Sequence, residues 1–157
     1  MSSSRKIGTT GMDIQTTRFA TLAIEPEDIL HFPAGLAGLE DCRHWVLLAD
    51  AGNEAMGWLQ STSRPEVALA VVTPRRFVPD YQVRLVRADL TPLAVDRTQD
   101  AKVLVIVGKN ERSITLNLKA PLLVNLDRRL GRQVVAINEY PVQYELSSEP
   151  PLLRKTA

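Results

Sequence analysis

The residues best equipped for chemistry in this chain are few. His31 and His44 are its only imidazoles and Cys42 its only thiol. An imidazole base needs a nucleophile and an orienting group within hydrogen-bond reach, and a structural zinc needs four thiolate or imidazole ligands. His44 follows Cys42 by two positions, with Glu40 and Asp41 just before it, yet the chain offers only one more histidine to complete a set. No metal site and no cofactor are expected. The run "PAGLAGLED" (33–41) lacks the glycine spacing and the Lys-Ser/Thr pair of a phosphate-cradling loop. Gly35 and Gly38 instead permit a tight loop with Leu36 and Leu39 tucked beneath it. No catalytic constellation emerges, and the chain reads as a non-enzyme.

Charge is clustered but balanced. Carboxylates gather at Glu25, Glu27 and Asp28 and again at Glu40 and Asp41; basic groups gather at Arg75 and Arg76 and at Arg128, Arg129 and Arg132. Nineteen basic residues against eighteen acidic ones leave a net charge of +1, without the excess needed to neutralise many phosphates. Aromatic residues make up 5% of the chain, so bases would find few stacking platforms. The acidic groups read as a solvated face or as a patch for a basic partner. The competing reading is a β-barrel that binds mRNA directly through its five turn arginines.

At 157 residues with 45% apolar content the chain suits one domain with one core. A lone cysteine fits a reducing compartment, and "MSSSRKIGTTGMD" lacks the apolar segment of a secretory signal. The apolar runs are far shorter than the roughly 20 residues a membrane span needs. The expectation is a cytoplasmic protein, without membrane contact and monomeric.

The elements that must position these groups are short. Runs rich in Val, Ile, Leu and Thr, separated by Gly, Pro, Asn and Asp, occur at 16–24, 43–49, 56–61, 67–73, 81–85, 102–108, 113–119, 122–126, 132–138 and 142–146. Helical periodicity is confined to a turn or two at 87–95 and at 25–30. This predicts a mainly β, single-domain, antiparallel β-barrel-like fold with one or two short helical turns, since a barrel disposes of open edges. Residues 1–14 read as a flexible extension, 15–147 as the β domain and 148–157 as a flexible tail.

The run "TLNLKAPLLVNLDRRLGRQVV" (115–135) sets two amides and a proline inside strand-like sequence. Alternation from Ile114 places Leu116, Leu118, Leu122, Val124 and Leu126 on one face and Asn117, Lys119, Leu123 and Asn125 on the other. Both amides then lie on the face away from the core. They either satisfy backbone groups freed where Pro121 breaks the ladder or line a docking edge. Gly131 reads as the turn residue of a following hairpin. In "PRRFVPDYQ" (74–82), two prolines enforce an irregular loop; Phe77 pins it to the core in one reading, and Tyr81 is an interface anchor in the other. Trp58, in step with Met56 and Gln60, is either core or a half-exposed anchor.

The pieces "ILHFPAGLAGLED", "GWLQS" with "RPEVALAVVTP", "FVPDY" and "TLNLKAPLLVNLDRRLGRQVV", in this order over roughly residues 18–146, resemble the FliW family of flagellar assembly factors. Where that family more often has Pro and Phe in the front loop, this chain has Ala37 and Leu39, a change expected to soften the loop. The resemblance implies a compact β-barrel-like monomer without enzymatic activity and with two protein partners: flagellin, held before export, and a CsrA-type translational repressor of flagellin synthesis. Export of flagellin would free the factor to bind the repressor. Matched positions expected at partner surfaces are Trp58, Gln60, Phe77, Pro79, Asp80, Tyr81, Asn117, Lys119, Pro121 and Asn125. Glu25, Glu27, Asp28, Glu40 and Asp41 are expected to supply negative potential toward the repressor's basic surface.

Overall fold

The computed structural model describes residues 11–146. Seven strands close into a barrel in the order β3 (Ile29–His31), β4 (His44–Ala49), β5 (Met56–Ser61), β6 (Ala68–Val72), β7 (Lys102–Lys109), β9 (Leu122–Asn125) and β10 (Leu130–Gln133), with β10 returning to β3. Every pairing is antiparallel except β10 with β3, which is parallel. The mainly antiparallel barrel expected from the short runs is therefore present. Closure depends on β7, whose first residues pair with β9 and whose last residues pair with β8 (Ile114–Leu116). β8 in turn carries β11 (Tyr144–Glu145) as a flap off the barrel.

Alternation decides which side chains fill the barrel. In β4, Trp45 and Leu47 join the interior with Leu30, Phe32, Leu59, Val71, Leu104, Leu122 and Val124. Val46 and Leu48 turn outward, where a separate hairpin of β1 (Met12–Thr16) and β2 (Ala20–Ile24) covers them with Ile14, Leu22 and Ile24. This hairpin brings the β structure forward to Met12. Residues 12–14, assigned to the extension, alternate onto Val46 through Ile14, a signal hidden by the polar residues between. Residues 1–10 and 147–157, including the tail assigned to 148–157, lie outside the described residues.

The helical content is as short as its periodicity implied: α1 (Arg87–Leu90) runs into a 3-10 turn at Thr91–Leu93. The turn expected at 25–30 is 3-10 only over Pro26–Asp28 and then becomes β3. Residues 81–85 are not a strand, because their main chain bonds largely to side chains: the Gln82 N–H donates to Tyr140 Oη and the Arg84 N–H to Asn138 Oδ1, both at 3.2 Å.

Two glycines have demonstrable reasons. Gly131 is not the turn residue but lies in β10, where a Cβ would stand 2.2 Å from the Phe32 ring; the hairpin turn is made by Arg129 at φ 56°. Gly35, at φ 68°, approaches Glu40 so closely that a Cβ would meet its backbone at 2.6 Å. That close approach holds Leu36 inside and lets the Leu39 N–H donate to the Leu36 carbonyl at 2.8 Å, closing one end of the barrel. The Ala37 N–H donates to Gln133 Oε1 at 2.8 Å, a tie from loop to β10 that a proline at 37 could not make.

Candidate functional site

Asn125 follows the predicted alternation but not the predicted exposure. The face of β9 away from the barrel is covered by α1 and its following turn, where Leu90 and Leu93 pack on Leu123 and Val134. Asn125 is accordingly 8% exposed; its Nδ2 donates to the Leu93 carbonyl at 2.8 Å and its Oδ1 accepts from the Arg128 N–H at 3.2 Å. Its assignment to an outer docking face is corrected: it staples helix, strand and turn. The sequence signal for this was the short helix at 87–95, which needs an apolar face to lie on. Asn117, half-buried, accepts the Ala120 N–H at 3.0 Å across the break at Pro121, itself buried. Asn117 thus satisfies a main-chain group at the Pro121 break, whereas Asn125 serves the Leu93 carbonyl and the turn between β9 and β10.

Tyr81 and Phe77 exchange their expected roles. Tyr81 is 2% exposed, donates its hydroxyl to the Leu118 carbonyl at 2.7 Å and packs against Tyr140 with ring centroids 4.7 Å apart. Burial, with Tyr140 adding to it, pushes its phenol well above the usual range. Tyr81 is therefore the pin of the loop, and Phe77, 39% exposed, is presented outward with Pro79 and Asp80. The difference is polar: a tyrosine hydroxyl reaches a carbonyl left over beyond β8, which phenylalanine cannot bond.

Trp58 stands on the outside of β5, half-buried. Its Nε1 donates to Asp50 Oδ1 at 2.8 Å, the Arg18 guanidinium lies 4.1 Å over its ring, and Phe19 meets it edge-on. The Trp58 bond, helped by the Gly52 N–H, holds the Asp50 carboxyl below its ordinary value. Gln60 is fully buried, with Nε2 donating to the Ser61 carbonyl at 2.9 Å and Oε1 without a partner among the described residues. Lys119 is half-buried and donates to the Asn138 carbonyl at 3.2 Å.

The acidic residues divide. Glu25 is buried and its N–H is capped by Asp28 Oδ2 at 2.8 Å, whereas Glu27, Glu40 and Asp41 are exposed. Glu27 and Asp28 precede β3, and Glu40 and Asp41 precede β4 at the opposite end of the β3–β4 ladder, so they flank a three-residue strand about 10 Å long. Glu40 Oε2 accepts the Gly38 N–H, and Asp41 stands 3.7 Å from Arg64. Of the basic residues, Arg75 Nε donates to the Tyr81 carbonyl at 2.9 Å and Arg132 reaches Asp89 at 3.5 Å. His31 and His44 face each other across β3 and β4 with stacked rings, centroids 4.7 Å apart, and Cys42 is buried in the core. Among the described residues no group of three or more His, Cys, Asp or Glu is arranged to hold a metal, and no helix is long and apolar enough to cross a membrane.

The surface offers a set of exposed side chains around a closed barrel. The model of a family described as FliW protein matches residues 13–146. A flagellar assembly factor FliW of Bdellovibrio bacteriovorus is 37% identical over 126 residues, 79% of this chain and 72% of that one. One of Moorella thermoacetica is 35% identical over 142 residues, covering 88% of this chain and 90% of that one. A crystal structure of the flagellar assembly factor FliW superposes with a TM-score of 0.80 at 28% identity, covering 88% of this chain and 99% of the other.

Proposed function

The chain belongs to the FliW family of flagellar assembly factors, and from that premise we propose that it works in the cytoplasm by exchanging two protein partners, without catalysis or cofactor. Flagellin awaiting export occupies it; once flagellin leaves, the freed protein binds a CsrA-type translational repressor and so relieves repression of flagellin synthesis. The physics is mass action: whichever partner is in excess of its dissociation constant takes the shared factor.

The observation that supports this reading best is that the family match runs unbroken over the barrel and the elements built on it, so the surface assigned to partners rests on the family's own scaffold. Burial narrows that surface. Gln60, Tyr81, Pro121 and Asn125 support it from inside, while Phe77, Pro79 and Asp80 on the 74–82 loop, Trp58 beside Arg18, and Glu27, Glu40 and Asp41 are left to make contact. Exposed Phe77 suits an apolar anchor and the carboxylates suit a basic partner.

Separate calorimetric titrations with the flagellin and the CsrA-type repressor of the same organism test it. Binding heat with both, weakened about tenfold for at least one partner by Phe77→Ala in a folded variant, is the expected outcome. Absence of heat with both partners would reject partner exchange.

A further inference from the structure

β7 outruns its neighbour β6. Their pairing stops at Val72 opposite Val105, because Pro74 follows and turns the chain into a 3-10 turn. Residues 102–104 of β7 pair with β9 on one edge and have no strand on the other among the described residues. Alternation assigns the free groups. The Ile106 carbonyl faces β8 and accepts the Asn117 N–H, so Val105 and Val103 turn their N–H and C=O to the β6 side, where Val105 pairs with Val72 and Val103 is left at the open edge.

Across from that edge runs the segment 81–86. Gln82 and Arg84 direct their main-chain groups to residues 137–140: besides the two bonds described above, the Gln82 carbonyl accepts Asn138 Nδ2 at 2.6 Å and the Arg84 carbonyl accepts the Ile137 N–H at 2.7 Å. Val83, between them, turns the other way, and no hydrogen bond among the described residues reaches its main chain. Val83 and Val103 both line a groove of about 570 Å³ that also carries Arg75, Arg84 and Lys102 and no Asp or Glu. Arg75 is held there by the Tyr81 carbonyl, while Arg84 and Lys102 have no ion pair among the described residues.

We propose that this groove takes an extended acidic peptide segment of a partner protein as an added strand, its main chain pairing at Val103 and Val83 and its carboxylates meeting Arg75, Arg84 and Lys102. Strand addition uses unpaired edge groups for affinity and alternate side chains for selection. Residues 1–10 and 147–157 do not supply such a segment: the first carry Arg5 and Lys6 and no acid, and the second carry Glu149 against Arg154 and Lys155. RNA has the charge but lacks the alternating donors and acceptors that Val103 and Val83 would pair with. The site is independent of which protein supplies the segment, and so of the flagellin and repressor reading above.

The probe is a short synthetic peptide alternating Val with Glu, added to the full chain and followed by amide hydrogen exchange resolved to single residues. Exchange at Val103 and Val83 is expected to slow about tenfold or more with peptide, while affinity drops about tenfold in Lys102→Glu and Arg84→Glu. Both side chains point to solvent, so each variant checks the other against a folding defect. A peptide of the same sequence N-methylated at alternate residues should not bind. Lack of protection at both valines, binding that survives N-methylation, or equal occupancy of the groove by a single-stranded oligonucleotide would overturn the proposal.

Discussion

At the scale of single residues, a hydroxyl, not size, separates the two aromatics of the 74–82 loop. Tyr81 is drawn in because its hydroxyl completes the Leu118 carbonyl at 2.7 Å, and Phe77, next to the same prolines, has no such group and stays out. Tyr81→Phe should therefore lower stability by about 1–3 kcal/mol, the cost of a buried carbonyl left unmade, and denaturant melts would read it. Phe77→Ala should change stability far less, since its ring is already partly in water. Gly131→Ala is the sharper steric case: a methyl 2.2 Å from the Phe32 ring forces the ring or β10 to move, with an expected loss of about 1–3 kcal/mol. Asp50 provides a pH test. Its carboxyl is held below the ordinary 3.8, first by Trp58 and then by the Gly52 amide, so its contribution is present above that pH and fades as pH falls through the lower folded value. Melting temperatures of the native protein and Asp50→Asn should accordingly differ most near neutrality and converge in acid.

At the scale of elements, what could be read in the sequence followed the length of the alternating runs. The runs at 56–61 and 102–108 became β5 and β7 almost residue for residue, because alternate positions such as Leu59 and Leu104 had one core to enter. β1 and β3 carry weak sequence signals for opposite reasons: β1 covers the outside of the barrel and needs only Ile14 and Thr16 buried, and β3 is three residues long beside a proline turn. Alternation puts Asn125 on the face of β9 away from the barrel, but that face has a second layer which strand parity alone does not reveal. Only the packing of Leu90 and Leu93 on Leu123 turns Asn125 into an internal staple. Asn125→Ala should loosen α1 from β9 by about 1–3 kcal/mol, as the Leu93 carbonyl loses its donor. Faster amide exchange confined to α1 and the 126–129 turn would be its signature.

At the scale of the whole molecule, the sequence physics described a barrel without visible chemistry, and function became legible only through ordered motifs shared with a family. Local spacing does not show this, since a binding surface can be assembled from segments distant in sequence, as the proposed one draws on 74–82 and 33–41. The exposed carboxylates Glu27, Glu40 and Asp41 flank β3 from its two ends, so in the proposed function they would act through potential more than through particular contacts. Their influence should be screened over about 8 Å at physiological ionic strength, and repressor affinity should fall more steeply with salt than flagellin affinity. Equal salt slopes would remove the acidic residues from the account. Exchange between two partners is open to a displacement titration: the preformed complex with flagellin is titrated with the CsrA-type repressor of the same organism while bound flagellin is followed by fluorescence anisotropy. If the two partners exchange, repressor releases flagellin in proportion to its occupancy; flagellin that stays bound while the repressor also binds would rule exchange out.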